Sequence, residues 1–413
     1  MNARTRLVSA ARSVLGVVPD RILARALPGD LGWDPEAMHV AEPRDVHSPV
    51  RLLIAPVNSA GQAFRWARAA EAVVPGVSAV NLMSAVARTT HYGFPADYRV
   101  PDSGFIFAHQ WQQRQREAIL RQFTHVLLES GRFMYGLRPG RTPRDVVEEV
   151  RAKGVSVALL WHGTDIRVPS EHARWERDSP FGADGAYPPS SRQTLERNAR
   201  ERREMFADAG IPVFVSTPGL LDVPGSRWLP VVVDMETWRS AEPPLQRRRP
   251  VVAYAPSSSA LKGDPSIDVQ LDALERRGLI EYRRVQDMPS AQMPDLYRSA
   301  DIVLDQFRLG DYGVAACEAM AAGRLVIGHV HEDVRERARL RTGRELPIVE
   351  SRYRDIGGMI EVILSDRESW IEYAARGPEY VREIHDGRAS AEALTDFLAP
   401  TPHDQMNDRE NCS

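Results

Sequence analysis

"DIVLDQFRLGDYGVAACEAMAAGRLVIGHV", residues 301–330, decides the fold. It begins with an apolar run, 301–307, of buried-strand length, and ends with another, 324–330. Between them a tight turn leads into a short run of small residues, 311–323, that closes on Gly323. Strand, helix and strand in this order predict two parallel strands joined by a crossover helix. The helix carries one acid, Glu318, among alanines, too small a set of side chains for the buried face of an ordinary long helix.

The same rhythm extends in both directions. Upstream, strands are predicted at 50–57, 78–83, 103–109, 124–131, 155–163, 211–217 and 227–234. Helical segments separate several of them, and the 142–154 helix has Thr142 as N-cap, Pro143 in its first turn and Gly154 at its end. A second series begins at 251–257 and continues through a 264–278 helix capped by Asp264 and through the 301–330 unit. Residues 166–190 interrupt the first series and read as a long loop or lid.

This alternation predicts an α/β protein of two doubly wound, Rossmann-like domains facing a cleft. The expected parts are a basic arm at 1–48, an N-terminal domain at 49–234 and a linker at 235–250. A C-terminal domain at 251–377, a helix at 378–399 packing back on the N-terminal domain and a disordered tail at 400–413 complete the chain.

Composition narrows the function classes. With 413 residues, 43% hydrophobic and 26% charged, the chain can bury two cores. A formal charge of −3 gives no basic field for nucleic acid. The only cysteines, Cys317 and Cys412, suit a reducing cytoplasm rather than a disulfide framework. No apolar run is long enough to span a bilayer, and the N-terminus does not read as a signal peptide. It is basic, with Arg4, Arg6, Arg12, Arg21 and Arg25 against Asp20. That arm either touches a membrane surface from the cytoplasmic side, or packs on the body or stays loose.

The sequence has no Gly-x-Gly-x-x-Gly after a strand, no Walker loop, no metal-binding His or Cys motif and no Asp-x-Asp. Neither a redox cofactor nor a metal is therefore expected. Gly313 and Val314 open the 311–323 helix, where unpaired N–H groups and the positive end of the dipole suit a diphosphate. Glu318, just over one turn in, is placed to accept hydroxyl hydrogen bonds from a sugar or ribose. The plain alternative is tight packing through Ala315, Ala319 and Ala322 with Glu318 in solvent.

The stretch resembles the donor-binding signature of retaining, two-domain (GT-B) glycosyltransferases of family 4: Glu-Gly-Phe-Gly, four residues, then Glu-Ala-Met-Ala-x-Gly. Tyr312 stands for the aromatic, Gly313 for the second glycine, and Glu318-Ala319-Met320-Ala321 with Gly323 for the second half. Gly310 occupies the place of the first glutamate, an acid the family keeps near the reacting carbon, and Asp311 is the candidate substitute. Residues 255–265, "APSSSALKGDP", resemble the family's phosphate clamp, with Lys262 and Gly263 in place and Ser257 where an arginine would stand. "WHGTDIR", 161–167, resembles the family's His-Gly-x-Asp turn. The resemblance implies that His162 reaches the sugar or the acceptor; Asp165 either orients it or caps the turn. "PVNSAGQAFR", 56–65, resembles a glycine-bearing loop near diphosphate and acceptor, with Gly61 and Asn58 as candidates.

The resemblance thus implies a glycosyltransferase acting in glycan, glycolipid or envelope polysaccharide synthesis. Its donor is a nucleotide-diphosphate sugar, its acceptor a glycan, lipid-linked or small-molecule hydroxyl. The catalytic candidates are His162, Asp165, Asp311 and Glu318. Donor contacts are expected from Gly61, Ser257, Lys262, Tyr312, Gly313, Val314 and Glu318, and acceptor contacts from Asn58 and His162. Two rivals remain at this level. A nucleotide-sugar epimerase or hydrolase would turn over donor without acceptor, and a non-catalytic sugar-nucleotide or glycan binding protein would bind donor and release nothing.

Overall fold

The computed structural model describes residues 19–26, 32–85, 92–138, 140–256 and 264–399. It contains two sheets. The first has seven strands: β1 (Val50–Ala55), β2 (Val77–Ala85), β3 (Tyr98–Pro101), β4 (His125–Glu129), β5 (Ser156–Trp161), β6 (Val213–Val215) and β7 (Ser226–Trp228). Their order is β3-β2-β1-β4-β5-β6-β7. The second has five: β8 (Val251–Tyr254), β9 (Glu281–Arg284), β10 (Ile302–Leu304), β11 (Leu325–Gly328) and β12 (Val349–Glu350), in the order β12-β11-β10-β8-β9. The pairs β1–β2, β1–β4, β4–β5, β8–β9, β8–β10 and β10–β11 are all parallel.

Parallel strands between two helical layers must be apolar on both faces. Leu52, Leu53, Ile54, Leu127, Leu128, Leu159 and Leu160 are accordingly buried in the first sheet, and Val252, Ile302, Leu304, Leu325 and Ile327 in the second. Each order reverses once, between β1 and β4 and between β8 and β10. Those reversals matter because the connections leaving such neighbours go to opposite faces and open a crevice at the strands' carboxyl ends.

The chain divides into two compact units. Unit 1 is Met1–Trp161, Met205–Phe214 and Leu394–Ser413; unit 2 is His162–Glu204 and Val215–Ala393. In unit 1 Phe397 packs edge-on against His125 at 5.2 Å and Phe214 at 6.3 Å, which anchors the end of the described chain. No helix among the described residues is long and apolar enough to cross a membrane. The proposed membrane arm lies largely in 1–18, outside the described residues, as does the 400–413 tail.

Three local expectations change. Residues 103–109 are not a strand: Asp102–Phe107 is a helix, and the strand is the edge segment β3 just before it. A short apolar run has no period to separate the two states. The expected 378–399 helix is instead two, Arg367–Ile384, with Pro378 inside it, and Arg388–Leu394. Within the expected linker, Met235–Trp238 is a helical turn capped by Asp234, and Trp238 and Leu245 are buried.

Candidate functional site

In unit 2 the strand order reverses between β8 and β10, so the crevice lies at their carboxyl ends, from which the chain runs on into 255–264 and 305–313. Ser257 and Lys262 belong to the first of these and fall within 257–263, outside the described residues. The two segments are tied at their ends. Arg308, buried, pairs with Asp264, which also accepts the Ser266 N–H at 3.0 Å and so caps the Pro265–Arg276 helix.

The second segment feeds the Val314–Ala321 helix. Gly313 is its N-cap, in an extended conformation, and no side chain caps the helix. A Cβ on Gly313 would meet nothing within 4 Å, so there is open space beside the helix start, where first-turn amides lack intrahelical partners. The small residues have a packing cause. Ala316, Ala319 and Met320 are buried, and a Cβ on Gly377 of the Arg367–Ile384 helix would lie 3.1 Å from the Met320 carbonyl oxygen. Two helices approach at backbone distance here, which larger residues would prevent. At the helix end Gly323, φ +68°, turns the chain into β11 while the Arg324 N–H donates to the Ala319 carbonyl at 3.0 Å. Glu318 is half-buried on this helix.

The contacts of Asp311 and Tyr312 hold the segment in place. Asp311 is buried; its Oδ2 accepts from Arg167 Nη2 at 3.0 Å and Thr217 Oγ1 at 2.7 Å, and its Oδ1 from the Tyr312 N–H at 2.9 Å. Gly219 makes room for it, since a Cβ there would lie 2.2 Å from Oδ2. The buried Tyr312 side chain meets the Tyr380 hydroxyl at 3.1 Å and the His385 ring edge-on at 6.0 Å. With its N–H spent on Asp311, Tyr312 positions the helix start from behind.

Gly310, the place of the family's first glutamate, has φ +59°, and a Cβ there would lie 2.6 Å from Glu176 Oε2 and 3.1 Å from His331 Cβ. No side chain fits, because a carboxylate from elsewhere in the chain already fills the space. Glu176 is fully buried: Oε2 meets His329 Nε2 at 2.7 Å, and Oε1 accepts from Arg352 Nη1 at 3.1 Å and from the Asp178 N–H at 2.9 Å. His329 Nδ1 lies 2.6 Å from Glu350 Oε1. Asp178 pairs with Arg352 at 2.5 Å and Arg354 at 2.7 Å.

These charges set one another's protonation. Burial disfavours the Glu176 anion, but His329, the Asp178 N–H and Arg352 outweigh it and hold the carboxyl at about 2. Burial likewise disfavours a charged His329, but Glu176 and Glu350 outweigh it and raise the imidazole to about 9. Beside this pair a cavity of about 480 Å³ is lined by His329, His331, Arg335, Glu350, Arg352 and Tyr373, among others.

The 166–190 segment is not a plain loop. It contains the Pro169–Trp175 helix, and Arg167, His172, Glu176, Asp178 and Ser179 are buried. Burial, with Arg167 adding to it, lowers the His172 pKa to about 3, so the ring is neutral. Its Nε2 donates to the Leu309 carbonyl at 3.1 Å, which leaves Nδ1 to accept from the Ser179 hydroxyl at 2.7 Å.

The remaining candidates sit on two turns. Asp165 takes the capping role: its carboxylate accepts the His162 N–H at 3.1 Å and the Gly163 N–H at 2.8 Å, fixing where the half-buried His162 leaves β5. In unit 1, Asn58 is buried at φ 55°, with Nδ2 donating to the Pro95 carbonyl at 2.9 Å and Oδ1 accepting the Phe64 N–H at 3.2 Å. Its side chain thereby shapes the loop. Gly61, at φ +75°, starts the Gln62–Val73 helix. Glu129, buried at the end of β4, accepts the Val57 and Asn58 N–H groups at 2.7 and 2.9 Å and joins the two sides of the first sheet's reversal. An acid ending a strand, as in "VLLESG", was the one local signal for it.

No protein-family model and no curated protein matches the amino-acid sequence. Solved structures do match. HepE of Anabaena, bound to UDP and glucose, aligns over 85% of this chain and 100% of its own with 12% identity and a TM-score of 0.53. Sucrose-phosphate synthase from Thermosynechococcus elongatus aligns over 84% of this chain and 97% of its own with 12% identity and a TM-score of 0.51. An alpha-glucosyltransferase in complex with UDP and a 13-mer DNA aligns over 84% and 99%, with 10% identity and a TM-score of 0.53. Two parallel α/β sheets with these strand orders and these likenesses give the chain the GT-B fold of glycosyltransferases.

Proposed function

We propose that the chain transfers a sugar from a nucleotide-diphosphate donor to an acceptor hydroxyl with retention. The observation that carries this reading is the reversal between β8 and β10, where the Val314–Ala321 helix begins without a side-chain cap; Lys262 enters from the sequence resemblance. A diphosphate there meets the amides of Gly313 and Val314 and one ammonium group, preorganised donors for the charge that grows on the leaving phosphate. Glu318 takes hydroxyls of the ribose or the sugar. The bond from the anomeric carbon to the phosphate oxygen breaks, the acceptor oxygen bonds to that carbon, and the acceptor proton passes to the departing phosphate. Asp311, bound by Arg167 and Thr217, keeps the helix start in place and moves no proton. His162, fixed at its turn by Asp165, addresses the sugar or acceptor.

Solved relatives in fold support the donor class, HepE having been captured with UDP and glucose. The test is release of nucleotide diphosphate across a panel of sugar nucleotides and acceptors. Lys262→Ala and Glu318→Ala are each expected to slow release by roughly 10²-fold or more. Full activity in both variants contradicts the proposal.

A further inference from the structure

Unit 1 contains a cationic cavity that the donor reading does not use. It measures about 460 Å³ and is lined by Gln113, Arg116, Arg138, Arg141 and Glu149. Gln113 and Arg116 come from the His109–Gln122 helix, Glu149 from the Pro143–Arg151 helix. Arg138 and Arg141 come from the segment that follows β4, on one side of the first sheet's reversal.

Glu149 organises two of the three arginines. Arg116 Nε donates to its Oε1 at 2.5 Å, Arg141 Nη1 pairs with its Oε2, and the Tyr135 hydroxyl lies 3.4 Å from Oε2. Burial opposes its ionisation, but the two guanidinium groups outweigh burial and hold Glu149 below the usual carboxylate range. Arg138 differs. It is half-buried over the Tyr135 ring, 5.0 Å from its centroid, and has no carboxylate partner among the described residues. Burial pulls its pKa down, as expected for a cation short of a counter-ion. The nearby acids are committed elsewhere: Asp145 to its capping box with Thr142, Glu148 to Arg144. Three guanidinium groups against one carboxylate leave a surplus of two positive charges on a concave, partly desolvated surface.

Guanidinium forks match tetrahedral oxyanions, and a phosphomonoester dianion supplies the two missing charges. We propose that this cavity binds the phosphate group of a phosphomonoester, with Arg138 as its principal cation and Arg116 and Arg141 held in place by Glu149.

The test is a binding measurement on the full chain, so it is independent of sugar transfer. Inorganic phosphate and glucose 6-phosphate are titrated calorimetrically, and phosphatidylcholine vesicles with and without phosphatidic acid are co-sedimented. Tighter binding of the sugar phosphate assigns a soluble ligand; retention only on phosphatidic acid vesicles assigns a lipid headgroup. In either case Arg138→Gln is expected to weaken the binding by about ten- to a hundredfold, the range of a lost charge-assisted contact. Arg114→Gln, an exposed residue of the same helix, removes the same charge and is expected to change nothing. Without ligand, the melting temperature of Arg138→Gln should equal or exceed that of the wild type, because the change relieves repulsion. No binding in any arm, or equal binding by Arg138→Gln and wild type, overturns the proposal.

Discussion

The Glu176–His329 pair makes stability depend on pH in a direction fixed by the structure. His329 rises from 6.5 to about 9. At about 1.4 kcal/mol per pH unit this corresponds to about 3 kcal/mol of stabilisation. Its side chain is only 4% exposed, so salt screens little of it. A histidine whose folded pKa is raised contributes fully below its unfolded pKa and loses that contribution as pH rises through the folded value. Nearly all of the 3 kcal/mol should therefore disappear between about pH 6.5 and 9.5. Glu176, lowered from 4.5 to about 2, expresses the same pair from the other side: its contribution is present above pH 4.5 and fades as pH falls towards 2. The two values describe one interaction and are not summed. Urea unfolding followed by tryptophan fluorescence at several pH values reads it out, with His329→Gln as comparison. The wild type should lose about 3 kcal/mol across the alkaline window, while His329→Gln starts lower and stays flat. A flat wild-type profile, or a slope retained in His329→Gln, would refute the pairing.

Gly310→Ala should cost about 3 kcal/mol by chemical denaturation, from a left-handed backbone and a contact at 2.6 Å with Glu176. Gly310→Glu, which restores the family residue, should destabilise further instead of raising activity; a stable, more active variant would show that the space is not filled as described. Asp311→Ala leaves Arg167 buried without its anion and should cost about 3–5 kcal/mol and weaken donor binding. Unchanged unfolding in that variant would mean that the carboxylate does not hold the helix start.

Much of both sheets was legible because their central strands are covered on both faces and read as continuous apolar runs. Residues 103–109 were misread since so short a run carries no period, and Asp102 at its head starts a helix. The helix start at Gly313 was visible in its glycine and alanines, and the structure adds why they are small: Gly377 lies against Met320. What no pattern could reveal is the charge network. Glu176 and His329 stand 153 positions apart, Arg167 and Asp311 144 apart, and only folding makes them partners. Tyr312 was legible as a motif aromatic but not as a buried one, because Tyr380 supplies its neighbour. Asp311 stood out as an acid by its position alone, and the sequence shows neither its burial nor Glu176 beside Gly310, because Glu176 comes from a segment whose polar composition resembles a surface loop.

The most direct check on the donor proposal is a crystal structure with a bound nucleotide-diphosphate sugar. The diphosphate should lie within hydrogen-bond distance of the Gly313 and Val314 amides, with Lys262 beside it and Glu318 on a hydroxyl. A donor bound away from the β8–β10 reversal, with those amides facing only solvent, would contradict it.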